Sequence, residues 1–247
     1  MALQNRETLK NYFKKGKLPT EQNFYDLIDS IINRVDDGMS KTMDEGLMLS
    51  PIGNSEKLIS FYKSIEEKSP AWSIDINKGD GNIHVKNRLG KSLVTIKQEG
   101  KLGINNHKPK HELDVNGVIA QRGRIGTEYQ GKIPGDGQWH TIVDELNGCH
   151  AFEITAGIGK KKAGKYALIV AQAISTFGKS KSKIRYTQAY YGMRSNKILL
   201  RWKGDTYNFS LEMRTKGNYG EGFYLNYHIA QLWHDTFMDE SLNLDQK

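Results

Sequence analysis

The chain has 247 residues, 37% of them hydrophobic, with a mean hydropathy of -0.63, enough for one large or two modest domains but without the roughly 20-residue apolar run of a membrane-spanning helix. A single cysteine, Cys149, excludes an intramolecular disulfide framework, and 25 glycines against five prolines with 12 tyrosines indicate turn-rich β structure. The net charge of +8 makes an acidic partner plausible without identifying one.

The N-terminus lacks the apolar core of a signal peptide. Synthesis in the cytoplasm is therefore expected, and a role outside the cell would need lysis or a dedicated export route. The charge is unevenly placed: Lys160 to Lys216 holds 14 Lys and Arg against two acids, Asp205 and Glu212.

Residues 1–40 read as a helical attachment segment. Phe24, Leu27, Ile28, Ile31, Ile32 and Val35 recur at i, i+3, i+4, i+7, i+8 and i+11, one face of a helix. Thr20, after Pro19, is the expected N-cap and Gly38 the expected stop. A shorter amphipathic piece, Leu9 to Phe13, packs on the same stripe. Two short helices cannot bury such a stripe alone, so another copy or a host protein is expected to cover it.

Residues 41–118 read as an extended arm followed by a slender β stalk. Gly38, Gly46 and Gly53 among small polar residues suggest a linker to about Asn54. Short strands are then expected at Leu58–Tyr62, Ala71–Ile76, Ile83–Lys86, Ser92–Lys97, Lys101–Ile104 and Glu112–Val115, separated by glycine-led turns. They carry too few large apolar residues for a compact sandwich, which favours a core completed by symmetry mates.

Residues 119–247 read as a C-terminal β-rich tip. The glycines between Asn116 and Pro134 mark the join. Seven β-branched or aromatic runs follow: Trp139–Val143, Ala151–Ala156, Tyr166–Ser175, Ile184–Tyr191, Ile198–Trp202, Tyr207–Arg214 and Phe223–His228. Their spacing, without an amphipathic helix between them, predicts an antiparallel β-sandwich or jelly-roll-like domain. Ala167–Ala171, apolar on both faces, is expected to form a central strand.

Catalytic constellations are hard to assemble. Cys149 and His150 are adjacent, so on a strand they point to opposite faces and cannot act as nucleophile and base. The one HxxxH pair, His107 and His111, flanks Pro109, which argues against a shared helical face. No metal, cofactor or enzymatic activity is expected. Gly157 to Lys165 lacks the ending of a phosphate-binding loop and precedes a strand, so it reads as a hairpin turn. Asp75 to Gly81 breaks the calcium-loop spacing after Asn77 and reads as a turn.

The ligand candidates are Lys179, Lys181, Lys183 and Arg185, with Tyr186 and Trp202 as stacking partners. Cations interleaved with aromatics suit an acidic glycan or single-stranded nucleic acid. No nucleic-acid-binding signature accompanies them; the stretch reads first as a solvated strand face, and as a binding face it would take an acidic cell-surface glycan.

Lys101-Leu102-Gly103-Ile104-Asn105-Asn106-His107-Lys108-Pro109, continuing through Leu113-Asp114-Val115-Asn116-Gly117-Val118-Ile119, resembles the VGIGTTxPxxxLDVxGxI element of phage tail fibres. Asn105 replaces its second glycine, and Asn106-His107 replace the Thr-Thr pair. In such fibres the element tends to sit where a trimeric shaft meets a distal domain. Arg6 to Phe13, the Leu49-Ser50-Pro51-Ile52-Gly53 arm and Asp136 to Ile142 are similar to chains of contractile injection systems. The resemblance implies a homotrimeric structural or receptor-binding protein, docked through its N-terminal helices on a baseplate or other particle protein, in a particle released outside the cell. It transfers no functional residue. The alternative is a carbohydrate-binding module or glycan-active enzyme, which would need two of the tip's dispersed carboxyls to converge.

Overall fold

A computed structural model describes residues 4–31, 36–64 and 66–242. The protein is mainly β and divides into two compact units, Met1–Ala120 and Gln121–Lys247.

The first unit opens with α1 (Arg6–Tyr12) and α2 (Glu21–Asp29). Thr20 caps α2 as expected: its hydroxyl accepts from the Asn23 N–H while the Asn23 side chain accepts from the Thr20 N–H, a reciprocal capping box. The Phe13 and Phe24 rings meet edge-on at 5.6 Å, and the Tyr12 hydroxyl donates to Asp26 at 3.1 Å. The helix is shorter than predicted. Its C-cap is Ser30, whose hydroxyl donates back to the Asp26 carbonyl, so Ile31 lies beyond the last turn and Gly38 is not the stop. Ile32 and Val35 fall outside the described residues. Of the remaining stripe, Phe24, Ile28 and Ile31 are exposed and Leu27 half-buried.

The expected arm contains a hairpin. β1 (Met39–Thr42) pairs antiparallel with β2 (Gly46–Leu49). The Thr42 hydroxyl accepts from the Glu45 N–H, and Gly46 takes φ +67, so the glycine read as a linker signal closes a turn.

A six-stranded sheet follows in sequence order: β3 (Lys57–Phe61), β4 (Trp72–Ile76), β5 (Ile83–Asn87), β6 (Ser92–Ile96), β7 (Leu102–Ile104) and β8 (Leu113–Val115). All six predicted strands are present. β7 and β8 run parallel, so the tail-fibre-like element is a tight crossover and not a hairpin. Its residues have local reasons. A Cβ on Gly103 would overlap the Asn106 carbonyl, and Asn105 adopts φ +52, a conformation asparagine tolerates where glycine would be favoured. Asp114 accepts from the Lys110 N–H at 3.0 Å, and that bond, with the Asn106 side chain, holds its carboxyl below the ordinary range.

Buried side chains in this sheet are polar: Ser73, Asp75, Asn82 and Thr95. Asp75 is tied to Lys86 at 2.8 Å. Phe61, Trp72, Ile96 and Leu113 remain exposed.

The second unit is a two-layer antiparallel sandwich. One sheet has the order β13-β12-β11-β16-β9 and the other β10-β15-β14. The larger comprises β9 (Tyr129–Pro134), β11 (Cys149–Gly159), β12 (Tyr166–Thr176), β13 (Lys183–Tyr191) and β16 (Tyr224–Gln231). The smaller comprises β10 (His140–Leu146), β14 (Ile198–Gly204) and β15 (Phe209–Thr215). Alternating residues of both sheets form one core, including Phe152, Ile154 and Ile169 facing Phe209, Leu211 and Met213. β9 was read as part of the join, because Gly131 and Pro134 masked Tyr129 and Ile133. β12 is a central strand as expected, paired on one side with β13 and on the other with β11. Its alternation is strict: Ala167, Ile169, Ala171 and Ala173 are buried, whereas Leu168, Val170 and Ile174 face outward and are exposed.

Because α2 and the sandwich belong to different units, Ile28→Asp is expected to leave the sandwich's melting transition unchanged within 1–2 °C by calorimetry, as exposed substitutions usually change stability by about 0.5 kcal/mol or less.

Candidate ligand-binding surfaces of the C-terminal unit

The six predicted ligand residues do not form one site. Lys181, Lys183 and Arg185 line a cavity of about 230 Å³ beside β12, with Gln172, Thr176 and Ser182. No ion pair engages these three cations among the described residues. Lys179 instead pairs with Asp205, whose carboxyl is held below its ordinary range by that hydrogen bond. Lys179 and Trp202 border a second cavity, of about 420 Å³, together with Lys203.

Two assignments need correction. Tyr186 lies on the opposite face of β13 from Lys183 and Arg185, because strand neighbours alternate. Trp202 is a packing residue: it pairs with Leu211 on the core side, its ring 5.7 Å from Phe209 and 6.3 Å from Phe152. A half-buried indole committed to the core is not a free stacking platform.

The larger basic surface lies at one end of the sandwich, where three loops touch. The β11–β12 hairpin contributes Lys160, Lys161, Lys162 and Lys165. The β13–β14 connection contributes Arg194 and Lys197, and the β15–β16 connection Lys216 and Glu221. The backbone joins the loops: Lys216 N–H donates to the Lys197 carbonyl and Gly217 N–H to the Ser195 carbonyl, both at 2.7 Å. Asn196 anchors the middle loop by donating to the Tyr191 carbonyl, while the buried Tyr219 hydroxyl donates to the Asn196 carbonyl at 2.7 Å. Burial raises the Tyr219 phenol to about 12, so it remains a donor at any physiological pH. Lys165 and Lys197 lie over the Tyr219 and Tyr190 rings. Seven cations against Glu221 thus gather on these three loops, none of the seven in an ion pair among the described residues, while the β9–β10 loop, joined to them by the Tyr219 N–H donating to the Gly135 carbonyl, adds Asp136 paired with His140. Such a surface suits a polyanion. The hairpin lysines were visible in the sequence as a turn, but their convergence with Arg194 and Lys216 required the β13–β14 and β15–β16 connections to reach the same end.

The outer face of the smaller sheet carries a self-contained charge cluster. Glu212, 4% exposed, accepts from Arg201 at 2.6 Å and Lys203 at 3.2 Å. Burial would raise its carboxyl, but the two cations' hydrogen bonds and charges outweigh that and hold it low. Arg201 and Arg214 lie 4.2 and 4.6 Å from the Trp139 ring. Elsewhere Asp136 pairs with His140 at 2.9 Å, and Glu153 with Arg124. These carboxylates are occupied by basic side chains. Cys149 is a buried free thiol, and the His150 ring stacks on Phe152.

Among the described residues no cluster of three His, Cys, Asp or Glu is placed to hold a metal, and no helix is long and apolar enough to cross a membrane. No known protein family and no curated protein matches this chain.

Proposed function

We propose that this protein is a structural and attachment component of a phage-tail-like particle, acting as a homotrimer. Its N-terminal helices dock on a baseplate or other particle protein, and the basic loop end of the sandwich contacts an acidic surface glycan. The observation that carries this reading is the distribution of the core. Among the described residues every fully buried large apolar side chain lies between Ile133 and Ile229, while α1, α2 and the six-stranded sheet leave Phe24, Ile28, Phe61, Trp72 and Leu113 exposed. A sheet of short strands without an apolar core gains one when copies pack together. The parallel crossover at Gly103–Val115 coincides with the tail-fibre-like element, at the end of the first unit.

The ligand half is tested by retention on a sulfated polysaccharide column. Replacing Lys160, Lys161, Lys162 and Arg194 by alanine is expected to weaken retention about tenfold at low salt, with a smaller difference at 0.15 M, where exposed charges are screened beyond about 8 Å. Unchanged retention at both salt concentrations would remove the loop end as the contact. The assembly half is tested by light scattering of the full chain, where a monomer over a wide concentration range would overturn the trimer.

A further inference from the structure

Strand register sorts the six-stranded sheet of the first unit into two faces of opposite chemistry. On one face a row across all six strands reads Ile59, Ile74, Val85, Val94, Ile104 and Val115. The row beside it, from β4 to β8, reads Ile76, Ile83, Ile96, Leu102 and Leu113. A third row starts with Phe61 and Trp72 and ends on Asn87, the one polar residue that pairing puts on this face. The other face carries Lys57, Ser73, Asp75, His84, Lys86 and Thr95.

Burial runs against this division. No residue of the apolar face is buried, and Trp72 and Leu113 are 45% and 57% exposed, whereas Ser73, Asp75 and Thr95 on the polar face are buried. The polar groups find partners within the chain: Lys86 pairs with Asp75 at 2.8 Å, and the His84 ring shares hydrogen bonds with the Ser92 and Thr95 hydroxyls at 3.2 and 3.1 Å. The β7–β8 crossover lies on this side too, where a Cβ on Gly103 would overlap the Asn106 carbonyl and the Lys110 N–H donates to Asp114. A sheet with one face in water normally turns its apolar side inward. Here the polar side is the closed one.

We propose that copies of this chain associate through the apolar face of the six-stranded sheet. This rests on the homotrimeric reading and deepens it by naming the surface. The face carries no charge, so a charged partner surface would lose its hydration there without gaining an ion pair. A second copy offers a flat, uncharged face of equal size. Size decides against the other exposed apolar surface of the first unit, the α2 stripe. Each paired position takes up about 4.8 by 6.8 Å, which gives the apolar rows a footprint of roughly 400 Å². The nine residues of α2 form a cylinder about 13.5 Å long and 10 Å across, enough for about a third of that footprint. Three faces turned toward one another remove roughly 1,200 Å², the lower end of the range for specific association.

Hydroxyl-radical footprinting of the full chain, read by mass spectrometry beside light scattering, tests this with matched residues. Trp72 and Trp233 are 45% and 40% exposed, and Leu113 and Leu89 are 57% and 88% exposed. A lone chain would therefore oxidise Trp72 as fast as Trp233, and Leu113 not much more slowly than Leu89. In the assembled protein Trp72 and Leu113 are expected to react about fivefold more slowly than their counterparts, because the centre of an interface excludes water. Val85→Lys with Val94→Lys, in the middle of the face, should restore both rates and give a monomeric mass, while Ile28→Asp leaves the protection in place. A trimeric mass with Trp72 and Leu113 unprotected, with protection that survives the two lysines, or with protection lost in Ile28→Asp, would overturn this surface and leave the trimer standing. A monomeric mass of the native chain would overturn both. If the double variant does not fold, the native chain and Ile28→Asp decide.

Discussion

Replacing Phe152 by alanine is expected to destabilise the C-terminal sandwich by about 3–5 kcal/mol, the cost of truncating a fully buried aromatic in a close-packed interior. Phe152 is 1% exposed and sits where the two sheets meet. Its ring lies 5.9 Å from Tyr129, 5.6 Å from His150 and 6.3 Å from Trp202, so one side chain couples β9, β11 and β14. The neighbours are themselves anchored in strands and can collapse only partly into the space left. Against a total stability of about 5–15 kcal/mol, the loss is a large fraction. Urea denaturation followed by tryptophan fluorescence checks it, because Trp139 and Trp202 both belong to this unit. A midpoint change equivalent to less than about 1 kcal/mol would show that the two sheets are not held together at this residue.

Glu212→Ala should cost about 1–3 kcal/mol at neutral pH. Breaking a buried ion pair costs about 3–5 kcal/mol when the remaining charge stays trapped. Here the trapped charge is partly relieved, because the Arg201 and Lys203 side chains are 42% and 62% exposed and can turn to water. Loss of the carboxylate also releases the Arg201 guanidinium from its position against Trp139. The pH dependence has a definite sign. The folded-state pKa of Glu212 is depressed, so the unfolded chain binds the proton more readily, and stability rises with pH where only the unfolded form is protonated. The contribution is full above the ordinary value of 4.5 and disappears as the pH falls through the lower folded value. Melting temperatures of the native protein and Glu212→Gln measured from pH 7 downward should therefore converge below that range. A gap that stayed constant to the acid limit would assign the effect to shape and not to charge.

The strands of the sandwich were legible because their periodicity and turn chemistry agree. A hairpin between β11 and β12 was legible from its glycines and lysines, but the turn was placed from Gly157, whereas β11 continues to Gly159 paired with Tyr166, because a glycine within a strand gives the same local signal as one in a turn. The Thr20 cap was legible because the Thr20–Asn23 exchange involves residues three apart. The errors fell where local signals were ambiguous. Glycine marks both linkers and hairpin turns, so Gly46 and Gly131 concealed β2 and β9. The apolar stripe continued to Val35 in the sequence, but α2 ends at Asp29, six residues earlier, with Ser30 as its C-cap.

The amino-acid sequence by itself determined that this protein is mainly β, where most strands lie, that the cations concentrate after Lys160, and that Cys149 and His150 cannot work together. These follow from properties that act over two to four residues: the pleat, the helical turn, capping and glycine conformation. Tertiary structure decided which side chains share a surface. It buried Trp202 against Phe152 and Phe209, put Tyr186 across β13 from Arg185, joined the Lys160, Arg194 and Lys216 loops at one end, and left Leu168 and Val170 outside. Those outcomes depend on strand order and on pairing between residues up to 100 positions apart, such as Tyr129 with Ile229. Alternation along a strand defines two faces, but only the packing of the second sheet decides which of them becomes the core.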